Sequence, residues 1–263
     1  VETLRSSPIA IDTDAANVQH YEVPSEFFRR VLGPRLKYSS CYWPHASTTL
    51  AQAEDTMLEL FCQRARVENG MEILELGCGW GSLTLYMARR YPDSEITAVS
   101  NSTSQAAFIR AQLESEGLRN VSIVTADMND FRASGRYDRI VSVEMFEHMR
   151  NWQRLLHRVH GWLKPDGRFF MHIFCHRNSP YEFVDRGPTD WMSRHFFSGG
   201  IMPSDELPLR FQDDLRLIRR WRWNGRHYEK TLNAWLARMD QRRDAVMPIL
   251  RDTYGEDQAE IWW

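Results

Sequence analysis

Cysteine is scarce in this sequence and none of it is paired: Cys41, Cys62, Cys78 and Cys175 stand far apart, with no Cys-x-x-Cys and no cysteine–histidine cluster. That spacing excludes a disulfide framework and indicates no metal site, so reduced thiols in a cytoplasmic protein are expected. Long apolar runs are also missing. None approaches the roughly 18 residues of a membrane span, and Val1-Glu-Thr-Leu-Arg-Ser6 lacks the apolar centre of a signal peptide, which predicts a soluble chain without stable membrane insertion. Nor is there an excess of either charge. The 33 Lys and Arg against 35 Asp and Glu leave a formal net charge of -2, which gives no global attraction for nucleic acid, and no nucleic-acid partner is expected. Internal repeats and low-complexity segments are absent, and nothing in these residues specifies an oligomeric state.

What is present is a soluble globular composition, 43% hydrophobic and 26% charged over 263 residues, enough for one large domain or a domain with a lid. The organising stretch is Ile73-Leu-Glu-Leu-Gly-Cys-Gly-Trp-Gly-Ser82, an apolar strand running into a glycine turn that opens a helix. Gly77, Gly79 and Gly81 allow the backbone to turn sharply and approach a ligand. Their spacing differs from the dinucleotide fingerprint Gly-x-Gly-x-x-Gly, and Glu75 on the incoming strand suits an ammonium-bearing ligand better than a pyrophosphate. The glycine spacing by itself is equally compatible with an ordinary strand-to-helix turn.

Around this turn the spacing predicts strands at 72–76, 95–99, 121–124, 137–143 and 168–174, alternating with helices at 82–91, 103–116 and about 149–163. Such alternation implies right-handed βαβ units and a mostly parallel sheet whose ligands lie at the carboxyl ends of the strands. Residues 1–66 are expected to form an N-terminal helical lid, with helices at about 24–32 and 48–65, a loose polar entry over 1–20 and an aromatic run from His20 to Trp43. Residues 67–263 form the core, interrupted by a cap over 176–214, since an excursion that long inside a domain is usually functional. A strand over 215–223 and one long helix over 228–250 complete the prediction. The chain begins with Val and stops at Ile261-Trp-Trp263, which reads as a fragment.

The chemistry concentrates at the predicted strand ends. Val99-Ser100-Asn101-Ser102, with Gln105 beyond, offers neutral groups where dinucleotide folds carry an acid for the ribose. Asp127 is placed to receive an exocyclic amine such as that of adenine, with Met128 against the ring; a helix-capping aspartate is the alternative. Glu144-Met-Phe-Glu147-His148 puts two carboxylates and an imidazole at one strand end, where they can orient an amine, remove its proton or hold an anion. His172, Phe174 and Tyr228 are expected in the same cleft. Arg216, Arg219, Arg220, Arg222 and Arg226, interleaved with Trp221 and Trp223, read as the solvated face of a strand more readily than as a phosphate site.

Taken together, Glu-Leu-Gly-Cys-Gly-Trp-Gly-Ser, Tyr-Ser-Ser-Cys-Tyr-Trp, Glu-Met-Phe-Glu-His-Met, Phe-Cys-His and Phe-Phe-Ser-Gly-Gly resemble the S-adenosylmethionine-dependent methyltransferases of the cyclopropane fatty acid synthase superfamily. The chain looks nearest to its coclaurine N-methyltransferase-like branch. That resemblance implies a Rossmann-like α/β methyltransferase fold, a mostly parallel sheet with helices on both faces. The family's last antiparallel strand has no counterpart after Trp263. It further implies that Tyr38, Ser39, Gly77, Gly79 and Gln105 hold the methionine and ribose parts of S-adenosylmethionine while Asp127 and Met128 hold adenine. Ser100 and Asn101 line that side, and Glu75 supports the turn and the cofactor's amino group. Glu144, Glu147 and His148 match the residues used near a substrate amine, which makes N-methylation of a small cyclic or aromatic amine the leading expectation. The rival expectations are methyl transfer to an unsaturated phospholipid and a non-catalytic binding module. The lipid reaction would need bicarbonate at positions matching Ser40, Glu147, His172, Phe174 and Tyr228. Two departures count against it: those synthases typically carry Cys at Ser40 and a small residue at Glu144.

Overall fold

Strands and helices alternate because apolar runs of five to seven residues are separated by segments whose apolar positions recur at helical spacing. The structure, a computed structural model, describes residues 1–11, 23–187, 190–195 and 197–263, without the side chains of Met192 and His195. In chain order come α1 (Glu2–Ser6), α2 (Ser25–Val31) and α3 (Leu50–Ala65), then β1 (Glu72–Leu76), α4 (Ser82–Arg90), β2 (Glu95–Ser100), α5 (Thr103–Glu116) and β3 (Val121–Thr125). β4 (Tyr137–Val143) leads through a 3-10 turn at Phe146–His148 into α6 (Trp152–Trp162) and β5 (Leu163–His172). The stretch after β5 holds β6 (Tyr181–Glu182), α7 (Trp191–His195), β7 (Ile201–Met202) and a 3-10 turn at Leu207–Arg210, within the region expected to form a cap. The helices α8 (Arg226–Gln241), α9 (Arg243–Tyr254) and α10 (Glu256–Trp262) follow.

The five strands of the main sheet run in the order β3-β2-β1-β4-β5, each neighbouring pair parallel. This is the predicted Rossmann-like methyltransferase architecture, and the order reverses between β1 and β4, where a crevice opens at the carboxyl ends. Side chains alternate across the sheet. Leu74, Leu76 and Ile140 pack under Trp152, Leu155 and Val159 of α6, whereas Ile73, Ile96 and Val141 meet Met57 and Phe61 of α3 and Leu83 and Met87 of α4. Helix ends follow their caps. Thr49 and Gln52 form a capping box at α3, and Asn151 accepts from the Arg154 N–H at α6, so that helix starts three residues later than its apolar spacing suggests.

Four expectations are corrected. Part of the entry segment is ordered: Ile9 and Ala10 are buried against α6's neighbourhood, Ala10 N–H donates to Asn129 Oδ1 and Arg150 N–H donates to Ile9 O. His20 and Tyr21 of the aromatic run, with 12–22 generally, lie outside the described residues. Residues 215–223 form no strand; their period of two arises because Trp221 and Trp223 close on the Arg64 guanidinium, 4.8 and 4.3 Å from the ring centroids. The helix expected over 228–250 is two helices, broken at Arg242, whose φ of -118° and ψ of 23° leave the helical region. β5 begins at Leu163, earlier than predicted, since Leu163 pairs with Tyr137 ahead of a register shift.

Trp152 anchors one face. It is fully buried, its indole N–H donates to Phe146 O and Met149 O at 3.0 and 3.1 Å, and its ring meets Phe146 edge-on at 5.4 Å. Trp152→Ala is expected to lower stability by about 3–5 kcal/mol, read as a shifted urea midpoint at unchanged slope.

Candidate active site

The crevice between β1 and β4 is a cavity of about 730 Å³. Its floor is the glycine turn. Gly77 and Cys78 both donate backbone N–H to Val99 O at 3.0 Å, and Gly77 has a φ of +79°. A Cβ there would stand 2.6 Å from Met145 Cγ, so Gly77 is demanded by conformation and by space. Glu75 is wholly buried and its Oε2 accepts from Thr84 Oγ at 2.6 Å; burial pushes its carboxyl up to about 8. A carboxyl in that state welcomes a nearby cation.

The neutral residues at the end of β2 divide the work. Ser100 Oγ donates to Gln105 Oε1 at 2.9 Å and accepts from Ser102 N–H, which fixes the amide and leaves Gln105 Nε2 without a partner among the described residues. Ser82 Oγ is likewise buried without one. Tyr38, Ser39, Glu75, Gly77, Gly79, Ser100, Asn101, Gln105, Asp127 and Met128 all line this one cavity. Asp127 also organises its own turn, Oδ1 accepting from the Asn129 N–H at 2.7 Å.

The acidic end is built on a left-handed residue. Glu144 has a φ of +48°, a costly conformation for a side-chain-bearing residue, which turns its carboxylate into the cavity. There Oε1 accepts from Ser40 N–H at 2.9 Å and Oε2 from the Tyr228 hydroxyl at 2.9 Å. His148 lines the cavity with its ring stacked on Phe197 at 4.7 Å, as do Phe174 and Tyr228. Glu147 and His172 stand behind this lining. Glu147 is fully buried, its Oε1 accepts from Phe174 N–H at 2.7 Å while Oε2 has no partner among the described residues, and burial, reinforced by Glu144, holds its carboxyl well above the usual range. His172 packs between Phe61 and Trp223, and burial lowers its imidazole to about 3, so it is neutral.

Opposite the sheet the cap supplies aromatic walls. Tyr181, Phe183, Phe197 and Met202 line the cavity, with Phe183 and Phe197 rings 5.0 Å apart. One side chain ties these walls down: buried Arg150 donates to Gly199 O at 2.7 Å and pairs with Glu182 Oε2 at 2.7 Å. Sequence reasoning missed Arg150 and Lys37. The only available signal for Lys37 was its place beside Tyr38-Ser39-Ser40. Arg220 and Arg222 pair with Asp205 on the cap, which accounts for part of the basic run.

Orphaned donors on one side, a buried carboxyl for an ammonium and a glycine floor fit S-adenosylmethionine, and with the strand order they define an S-adenosylmethionine-dependent methyltransferase. The family model for mycolic acid cyclopropane synthetase matches residues 10–262, and the chain belongs to that family. It is 38% identical over 260 residues to an (S)-coclaurine N-methyltransferase from Thalictrum flavum subsp. glaucum, covering 98% of this chain and 72% of the relative. A cyclopropane-fatty-acyl-phospholipid synthase from Escherichia coli (strain K12) is 32% identical over 240 residues, 90% of this chain and 59% of that protein. Among solved structures, coclaurine N-methyltransferase bound to N-methylheliamine and SAH superposes with a TM-score of 0.94 at 37% identity, covering 98% of this chain and 75% of the other. Among the described residues no helix is long and apolar enough to cross a membrane.

Two buried groups set opposite pH dependences. The folded state binds the Glu75 proton more tightly than the unfolded chain does, so this stabilisation is complete below about 4.5 and fades as pH rises towards about 8. Folding disfavours the His172 proton, so stability falls as pH drops from 6.5 towards about 3. Glu75→Gln is expected to flatten the alkaline loss and His172→Gln the acid loss, each read from melting temperature against pH without cofactor.

Proposed function

We propose that this methyltransferase acts on the nitrogen of a small cyclic or aromatic amine. The observation that carries the reading is the Glu144 carboxylate, which already holds the Ser40 N–H and the Tyr228 hydroxyl. Those groups belong to positions where the lipid-modifying relatives are expected to hold bicarbonate. The anion at this point is therefore the chain's own, beside an imidazole and under aromatic walls that accept a planar ring. The names of the similar N-methyltransferases support the same reading.

S-adenosylmethionine supplies an electrophilic methyl group on a sulfonium. The residues of this chain have three tasks. They bind: Gln105 Nε2, Ser82 Oγ and Asp127 offer the polar groups, and Glu75 the carboxyl. They align: Phe174, Phe183 and Phe197 fix the acceptor ring, which turns an encounter into a positioned attack. They manage the proton, because an ammonium has no lone pair to attack with. His148 is the group facing the cavity that takes it, with Glu147 as its neighbour in the 3-10 turn, and Glu144 favours the positive charge that arrives on nitrogen.

Incubating the protein with methyl-labelled cofactor, a panel of cyclic amines including coclaurine, and vesicles of unsaturated phospholipid tests the proposal. Label is expected in an amine, and label in the acyl chains alone would refute it. His148→Ala is expected to lower kcat by about 10²–10⁴-fold with the accepted amine, and an unchanged rate would remove His148 from the proton step.

A further inference from the structure

Among the described residues Lys37 is the one buried lysine on the cavity wall, and neither the glycine turn nor the acidic cluster accounts for it. Its side chain is 1% exposed, and Nζ donates to Ser39 Oγ at 2.6 Å and to Ser40 O at 2.5 Å. The face of Phe61 lies beside it, Nζ standing 5.0 Å from the ring centroid. The backbone N–H of Lys37 donates to buried Glu54 Oε1 at 3.3 Å, and the Arg35 N–H donates to the other oxygen of that carboxylate at 2.9 Å. The loop is thus held from below by Glu54 and from above by its own lysine. The residue so gripped, Ser40, gives its N–H to Glu144.

Burying a charge is costly unless it is matched. The cavity's acidic end holds two carboxyl groups, and their surroundings differ. Glu144 has Ser40 N–H, the Tyr228 hydroxyl and the attraction of Lys37, whereas Glu147 has only backbone N–H donors, on one oxygen, and its Oε2 meets no partner among the described residues. We propose that Lys37 is a positioning residue that selects which of the two carboxyl groups carries the site's negative charge, by bringing a buried ammonium to the Ser40 peptide and locking the Ser40 N–H onto Glu144. This rests on the methyltransferase reading and deepens it: Glu144 is the anion that meets cationic nitrogen, and Glu147 rests as a neutral acid.

The other groups facing Glu144 agree. Burial pushes the Glu144 carboxyl up, and Lys37 is the foremost influence holding it down, ahead of Ser40 and Tyr228. His172 Nδ1 lies 3.6 Å from Glu144 Oε1, and after burial the charge of Lys37 is the main reason that imidazole stays neutral. Burial also lowers Lys37 itself, opposed by Cys41, Glu144 and Glu54. Separating two carboxyl groups by their environments is a general way to give them different roles.

Carbon-13 NMR of protein labelled at glutamate side-chain carboxyls, without amine, tests this, the two signals being assigned by their loss in Glu144→Gln and Glu147→Gln. At pH 7 the Glu144 signal is expected at the ionised position and the Glu147 signal at the protonated one; the reverse order overturns the proposal in the unaltered loop. In Lys37→Met the Glu144 titration is expected to move up by about one pH unit or more, while Lys37→Arg leaves it near its original position. An unmoved titration in Lys37→Met, or an equal shift in Lys37→Arg, also overturns it. Binding of S-adenosylhomocysteine by calorimetry checks that each variant retains the cofactor side. If these titrations behave as expected and no amine is methylated, the amine reading fails and the charge assignment stands.

Discussion

The carboxylate of Glu144 is the point on which the two sides of this molecule depend. Its backbone N–H donates to His172 O, which ties the ends of β4 and β5, while its two oxygens take a donor from the lid loop and a donor from α8. The left-handed backbone that aims it costs about 1–2 kcal/mol. A hydrogen bond typically contributes about 0.5–1.5 kcal/mol net, so two of them offset that strain. The lid loop and α8 are also joined directly, Cys41 N–H to Thr231 Oγ and Trp43 N–H to His227 Nδ1, both near 3 Å. Loop, sheet and helix are therefore fixed relative to one another around a single carboxyl group.

Much of this arrangement was legible in the sequence because the information is local. A strand ending in alternating glycines fixes where a ligand approaches, and the residues that follow β2, β3 and β4 must then lie around the same crevice, since a parallel sheet brings all its carboxyl ends to one edge. That is why Ser100, Gln105, Asp127, Glu144 and His148, far apart in the chain, line one cavity.

What the sequence did not disclose is carried by long-range partners. The arginine and tryptophan alternation at 219–223 resembles a strand, and only the arrival of Arg64 from α3 shows that the rings have another task. Glu147 and His172 look equivalent to His148 in a pattern of residue types, yet they stand one layer further back, where burial pushes the Glu147 carboxyl well above its usual range and keeps His172 neutral. The entry segment is polar enough to pass for a loose tail, yet its buried Ile9 and Ala10 are held by Arg150 and Asn129, more than a hundred positions away.

The clamp made by Arg150 has a consequence for how such a protein changes over time. The cofactor is faced by the ends of the sheet, and the opposite wall is furnished by Tyr181, Phe183, Phe197 and Met202 from a small hairpin and turn that Arg150 pins at two places. Substitutions at Tyr181, Phe183 or Met202 alter the shape offered to an acceptor without touching the five-stranded sheet or the glycine turn, whereas Phe197 is stacked on His148 and couples the wall to the proton step. Cofactor contacts and acceptor shape are thus written largely on separate pieces of chain, joined through Arg150 and the Phe197–His148 stack.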